Sequence, residues 1–235
     1  MVPKYKRVLL KLSGEALSAA DCIIDGEFAA KVCKAIKKCS DAGVQIAIVI
    51  GGGNIWRGRQ GINIERSRSD GMGMLATLIN SIAMQDLLIQ NGQDARVLSA
   101  LQVQRLAENY SPELAVRYLE GGAAVVLSCG TGNPYFSTDT GAMLRALEIK
   151  ADAVLCAKNI DGVYDSNPKI NPAAKRISRI SYADMLAQSL KAIDATAACM
   201  GDDYGMDMLV FALSDPENIY RAVMGEDIGT VVYSK

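Results

Sequence analysis

The sequence predicts an α/β fold, a three-layer α/β/α sandwich around a mostly parallel central sheet. Short apolar runs rich in β-branched residues alternate with longer amphipathic segments, the pattern of a layered α/β protein. Several runs are hydrophobic throughout instead of alternating, as happens when helices cover both faces of a parallel sheet. No repeat or low-complexity linker breaks the order, so residues 1–235 are read as a single domain.

The runs read as strands are Lys6–Ser13, Val44–Gly51, Asp94–Ala100, Ala123–Gly130, Ala151–Lys158, Asp207–Leu213 and Thr230–Lys235. Helical patterns lie between them. The first, Gly26–Gly43, ends on a glycine suited to a C-cap. The second, Gly73–Gly92, is apolar on nearly every face, so either its own domain or another subunit must cover it. The segment from Pro112 starts with proline in its first turn and stops at Gly121–Gly122. The segment from Thr138 opens with Thr138 and Asp139, good N-terminal capping chemistry. Two more start at Ser181 and Asp215.

Composition narrows the chemistry. With 25 Lys+Arg against 26 Asp+Glu there is no basic footprint for nucleic acid, and 50% apolar residues suit a globular core. No apolar run reaches the ~20 residues of a membrane span. The basic-then-apolar start is interrupted by Lys11 and lacks a cleavage pattern, which argues against a secretory leader. The six cysteines include no C-x-x-C pair and read as reduced thiols of a cytoplasmic protein. Histidine is absent, which removes Ser-His and Cys-His hydrolase arrangements and the commonest zinc ligand. Lysine, arginine, carboxylates and backbone dipoles must do the work.

Four loops at predicted strand ends carry unusual residues: "KLSGE" at Lys11, "GGGNIWRG" at Gly51–Gly58, "GTGNPYFSTDTGA" at Gly130–Ala142 and "AKNIDGVYDSNP" at Ala157–Pro168. Ligands of open α/β sheets sit beyond the carboxyl ends of strands. Clustered glycines expose N–H groups that bind anions, while Arg57 offers a fork and Lys11 a point charge. A phosphate-bearing ligand fits all four loops. No Walker-type G-x-x-x-x-G-K-[ST] exists, and "GMGMLA" at Gly71, although it fits G-x-G-x-x-A, follows a charged stretch read as a loop and not a strand.

In order along the chain, "YKRVLLKLSGEAL", "VIGGGNIWRG", "DGMGMLAT", "SCGTGNPYFSTDTGAMLRALEI", "DGVYDSNP" and "VMGEDIGTVV" resemble the bacterial-type UMP kinases of the amino acid kinase family. The resemblance implies the reaction ATP + UMP → ADP + UDP in pyrimidine nucleotide synthesis, Mg2+ arriving with ATP, a homohexamer, and GTP and UTP as effectors. It places Lys11, Leu12, Ser13, Gly14, Gly53 and Arg57 at the ATP phosphates, with Tyr164 and Asn167 near the adenine and ribose; Lys158, at the end of its strand, is a second candidate cation on the ATP side. It places Gly52, Asp70, Thr131, Gly132, Asn133, Pro134, Tyr135, Phe136, Ser137 and Thr138 at UMP. Lys11, Arg57, Asp139 and Asp194 are implied as the catalytic group, Asp139 orienting lysines. No dedicated protein metal site is implied.

The chain departs from the family pattern in three ways. "SAADCIID" replaces a glycine-rich effector loop, Lys158 stands where threonine is common, and Asn167 replaces an aspartate. The other readings are a phosphotransferase acting on a carboxylate or carbamate and a uridylate-sensing protein without turnover.

Overall fold

Why the uniformly apolar runs become strands is visible at the first of them. Val8, Leu9, Leu10 and Leu12 are all fully buried, with Val8, Leu10 and Leu12 packed into one hydrophobic layer and Leu9 into the other. Each such side chain stabilises the fold by about 1.5–3 kcal/mol, and only a strand covered on both faces can bury the whole run.

The computed structural model describes residues 2–19, 21–57, 63–168, 170–190 and 192–235. In chain order the elements are β1 (Arg7–Leu12), α1 (Gly26–Asp41), β2 (Gln45–Ile50), α2 (Arg66–Gln90), β3 (Ala95–Ser99), β4 (Glu108–Asn109), α3 (Pro112–Glu120), β5 (Ala124–Ser128), α4 (Thr138–Glu148) and β6 (Ala153–Lys158). There follow β7 (Val163–Tyr164), β8 (Arg176–Ile177), β9 (Arg179–Ser181), α5 (Tyr182–Ala187), α6 (Ala195–Asp203), β10 (Met208–Ala212), α7 (Asn218–Met224) and β11 (Thr230–Tyr233).

Nine strands make one sheet in the order β4-β3-β5-β2-β1-β6-β10-β11-β9, parallel except where β10 meets β11. A small antiparallel pair, β7 and β8, stands apart. Helices α1, α2 and α7 pack on one face and α3 to α6 on the other, which is the α/β/α sandwich expected from the sequence. The chain leaves β1 towards β2 on one side and returns through α4 to β6 on the other. The carboxyl ends of β1, β2, β5 and β6 therefore gather where the strand order reverses, the place such sheets bind ligands.

All seven predicted strands are present. Helix α2 differs from expectation. The charged stretch taken for a loop is its first turns, because Glu65 caps the helix by accepting from the N–H groups of Ser67 (3.1 Å) and Arg68 (3.3 Å), and Arg66 pairs with Asp70 one turn on. The G-x-G-x-x-A match thus lies inside a helix, where it cannot form a phosphate turn. Helix α6 was missed, as were the short β4, β7, β8, β9 and a 3₁₀ turn over Gly14–Leu17. The pattern from Ser181 gives a helix only to Ala187, and the expected last residue, Lys191, lies outside the described residues, as does Gly58 of the second glycine loop.

By length and composition α2 could cross a membrane. Here it lies along the sheet with Thr77, Leu78, Asn80, Ser81, Met84 and Leu88 buried, while Met72, Leu75, Ile79 and Ile89 remain exposed. Neither a wholly internal helix nor a wholly solvent-facing one describes it.

Candidate functional site

At the switch point three charged side chains meet. Lys11 is near the end of β1, Asp139 is the second residue of α4, and Lys158 ends β6. Lys11 Nζ forms an ion pair with Asp139 Oδ1 at 2.9 Å, and Lys158 Nζ donates to Asp139 Oδ2 at 3.3 Å and to the Ala192 carbonyl. Lys11 is only 9% exposed. Burial works against its ammonium, but Cys156 and the Asp139 carboxylate outweigh that and hold Lys11 above the ordinary lysine value. Burial likewise opposes ionisation of Asp139, and the two lysines overcome it, holding the carboxyl below the usual range. Two cations against one buried anion leave the cluster in want of a further negative group.

The first two glycine loops lie face to face beside this cluster. A Cβ at Gly14 would meet the Gly51 carbonyl oxygen at 2.2 Å and Asn54 Oδ1 at 2.4 Å, so no other residue fits there. Buried Asn80 of α2 pins the second loop, donating to the Gly51 carbonyl and Asn54 Oδ1, each at 2.8 Å. Arg57 does not point at the charge cluster. Its Nη2 pairs with Glu15 and its Nε donates to the Gly53 carbonyl at 3.2 Å, leaving Nη1 without a partner among the described residues. Leu12 is buried in the core, so only its backbone can reach a ligand.

A cavity of about 510 Å³ opens on one side of the cluster. Gly52, Asp70, Thr131, Asn133, Tyr135, Phe136, Ser137, Thr138 and Asp194 line it; Gly132 and Pro134 shape the loop without facing it. Asp70 accepts from the Tyr135 N–H at 2.8 Å and from Arg66 Nε at 2.8 Å, which ties the α2 start to the loop. Ser137 caps α4 by accepting from the N–H groups of Asp139 (3.0 Å) and Thr140 (3.1 Å), so the positive end of that helix faces the cavity. Asp194 takes hydrogen bonds from Ser137 and from Thr140 Oγ1 (2.9 Å) while capping α6 through the Ala197 N–H. Its carboxylate thus braces the mouth of α4, one helix start locking another.

A second cavity, of about 560 Å³, opens at Lys158 of the cluster. Lys158, Tyr164 and Asn167 line it together with Gly162, Val163, Ser189 and Leu190. Asp161 accepts from the Tyr164 hydroxyl (2.8 Å) and Asp165 from the Lys175 N–H (3.0 Å), so these acids shape the turn. Sequence reasoning missed Asn54, Asn80, Thr140, Arg66 and Thr77. A signal existed for Asn80, a polar amide inside a strongly apolar helix, but nothing local says what it binds. Among the described residues no three His, Cys, Asp or Glu side chains converge as a metal cage.

The charge cluster has a pH signature. Folding lowers the Asp139 carboxyl, so its contribution is complete above the ordinary 3.8 and is lost as the pH falls through the folded value. Folding raises Lys11, so its contribution is complete below 10.5 and is lost as the pH rises through its folded value. Asp139→Asn strands two lysines against each other and is expected to cost about 3–5 kcal/mol at pH 7. Urea unfolding at pH 7 and pH 3 checks this: the gap between variant and parent should shrink in acid.

The Amino acid kinase family profile matches residues 6–212. The structure superposes on that of UMP kinase from Bacillus anthracis with a TM-score of 0.94 at 34% identity, covering 98% of this chain and 97% of that one. UMP kinase from Ureaplasma parvum gives 0.93 at 35% identity, covering 98% and 100%. Uridylate kinase from Archaeoglobus fulgidus gives 0.74 at 27%, covering 96% and 99%. A profile match over most of the chain, a sheet of the same architecture and glycine loops gathered at its switch point lead to one conclusion: this chain belongs to the amino acid kinase family.

Proposed function

We propose that the protein is a UMP kinase, transferring the γ-phosphoryl group of ATP to UMP to give ADP and UDP for pyrimidine nucleotide supply. The observation that carries this reading is a lysine-flanked aspartate with one cavity at its chain neighbours Thr138 and Thr140 and another at its partner Lys158, in a chain about a third identical to UMP kinases over nearly its whole length.

Phosphoryl transfer needs positioning and charge stabilisation along an in-line path and little covalent chemistry from the protein. UMP occupies the cavity lined by Asp70 and the 131–138 loop, its phosphate towards the start of α4. ATP occupies the cavity lined by Lys158, Tyr164 and Asn167, its phosphates running to Ser13, Gly14 and Gly53. Magnesium arriving with the triphosphate would be held through the phosphates and would neutralise part of their charge. Lys11 and Lys158, held by Asp139, flank the moving phosphoryl group, and Arg57 offers its Nη1 to the triphosphate. The acceptor is already an anion near neutral pH, so no strong general base is required and a chain without histidine suffices. Asp194 works through Ser137 and Thr140 as a positioning residue. We also infer a single catalytic domain, acting in the cytoplasm where both nucleotides are plentiful.

A coupled assay of ADP release with UMP, CMP, acetylglutamate and carbamate as acceptors tests the reading. Turnover with a carboxylate or carbamate in preference to UMP would overturn it, as would stoichiometric UMP binding without ADP release; adding GTP or UTP tests the effectors. Asp70→Asn is expected to raise the KM for UMP about tenfold while leaving that for ATP nearly unchanged, and equal effects on both would mean the acceptor site is misplaced. The stripe of Met72, Leu75 and Ile79, with Ile79 53% and Leu75 47% exposed, is read as the contact with a second copy in a homo-oligomer, a hexamer by resemblance. Light scattering should give at least twice the monomer mass, with Ile79→Asp lowering it.

A further inference from the structure

We propose that Arg145, backed by Glu148 and Tyr110, is a positioning residue that sets the turn of the UMP loop from behind and thereby determines affinity for the acceptor. The proposal rests on the assignment of that cavity to UMP.

Arg145 sits two turns into α4 and is only 6% exposed. It lines neither cavity. A buried guanidinium costs several kcal/mol in lost hydration unless it is paired and hydrogen-bonded, and an apolar side chain of similar length would pack here without that cost. Its partners show where the charge is used. Nη1 pairs with Glu148 Oε2 at 2.6 Å, the same oxygen accepts from the Tyr110 hydroxyl at 2.6 Å, and the guanidinium lies 4.0 Å from the centre of the Tyr110 ring. Thus oriented, Nη2 donates to the Gly130 carbonyl at 3.0 Å.

That carbonyl belongs to an unusual stretch of backbone. Cys129 (φ 62°) and Gly130 (φ 57°) are consecutive left-handed residues, followed by Gly132 (φ 81°) and Tyr135 (φ 73°). For a residue with a side chain, such as Cys129, a left-handed conformation costs about 1 kcal/mol or more and persists only where neighbours hold it. Here the turn is held at both ends. The Cys129 N–H donates to Thr77 Oγ1 of α2 at 2.9 Å, and Arg145 holds the Gly130 carbonyl from α4. Gly141 completes the clamp: a Cβ there would come within 3.3 Å of Gly130 Cα, so the turn is pressed directly on the helix. Gly130, Thr131 and Thr77 all line the UMP cavity. Releasing the Gly130 carbonyl lets the loop rotate without touching Lys11, Asp139 or Lys158.

Steady-state kinetics with each substrate varied, together with calorimetric UMP binding, tests this on Arg145→Met, Arg145→Lys and Tyr110→Phe. Arg145→Met removes a charge-assisted hydrogen bond and should raise the UMP KM and Kd by about tenfold or more, with the ATP KM changed by no more than about twofold. Arg145→Lys, retaining the charge but not the fork, should recover part of the loss. Tyr110→Phe frees one side of Glu148 and should weaken UMP alone by about two- to fivefold. An unchanged UMP KM, or equal rises for UMP and ATP, overturns the proposal and leaves Arg145 as a core residue only. Should Arg145→Met fail to fold, the same criteria apply to the two milder variants. Failure of the unmodified protein to phosphorylate UMP would instead sink the functional assignment, and calorimetry would still read the clamp without turnover.

Discussion

The contact of Lys11 and Lys158 with the Asp139 carboxylate is the constraint around which the rest of the site is organised. It joins β1, β6 and the start of α4, three elements far apart in sequence, at the one place where the sheet order reverses. The cluster is mostly buried and, among the described residues, sets two lysines against one paired carboxylate. A buried excess of charge is costly unless an opposite charge arrives. A phosphate group is such a charge, so the interaction that orders the cluster also suits it to an anionic ligand.

The remaining devices serve to bring donors to that spot without bringing in bulk. Gly14 lets the β1 loop touch the β2 loop, and Asn80 spans from α2 to hold the latter in place. The starts of α4 and α6 are fastened to each other through Ser137, Thr140 and Asp194. A helix start presents unpaired N–H groups and a partial positive charge, so fixing its direction fixes the field felt by an incoming anion. Arg145 extends the same logic behind the loop: a buried charge directed at the Gly130 carbonyl adds a tertiary hold to a turn that the Gly132 N–H to Cys129 carbonyl bond closes locally.

Helix α2 carries a second consequence of the architecture. One side seals the core, while the N-terminal half contributes Asp70, Arg66 and Thr77 to the cavity beside the 131–138 loop, and an apolar stripe remains uncovered. The helix that lines this cavity therefore also carries the uncovered apolar stripe.

Much of this was legible in the residues. Continuous apolar runs such as "VLLKL" and "QIAIVI" have no stable place except a strand covered on both faces, and the glycine-rich stretches after them mark ends where backbone can approach a ligand. The clustering of Lys11, Asp139 and Lys158 was only partly legible, since their sequence separation hides the contact. Other features were misread or missed for identifiable reasons. "ERSRSD" looks like a loop because its charges mask a cap and an i,i+4 pair, and α6 is built of small residues that leave no amphipathic stripe. Asn80 and Arg145 look like ordinary helix positions. Local composition thus determined the layers, the strand ends and the anion-binding character of the loops, because burial and backbone freedom are properties of short segments. Which charges meet, where Arg57 points and which turn Arg145 holds were decided only by the tertiary structure, because each depends on contacts between segments tens of residues apart.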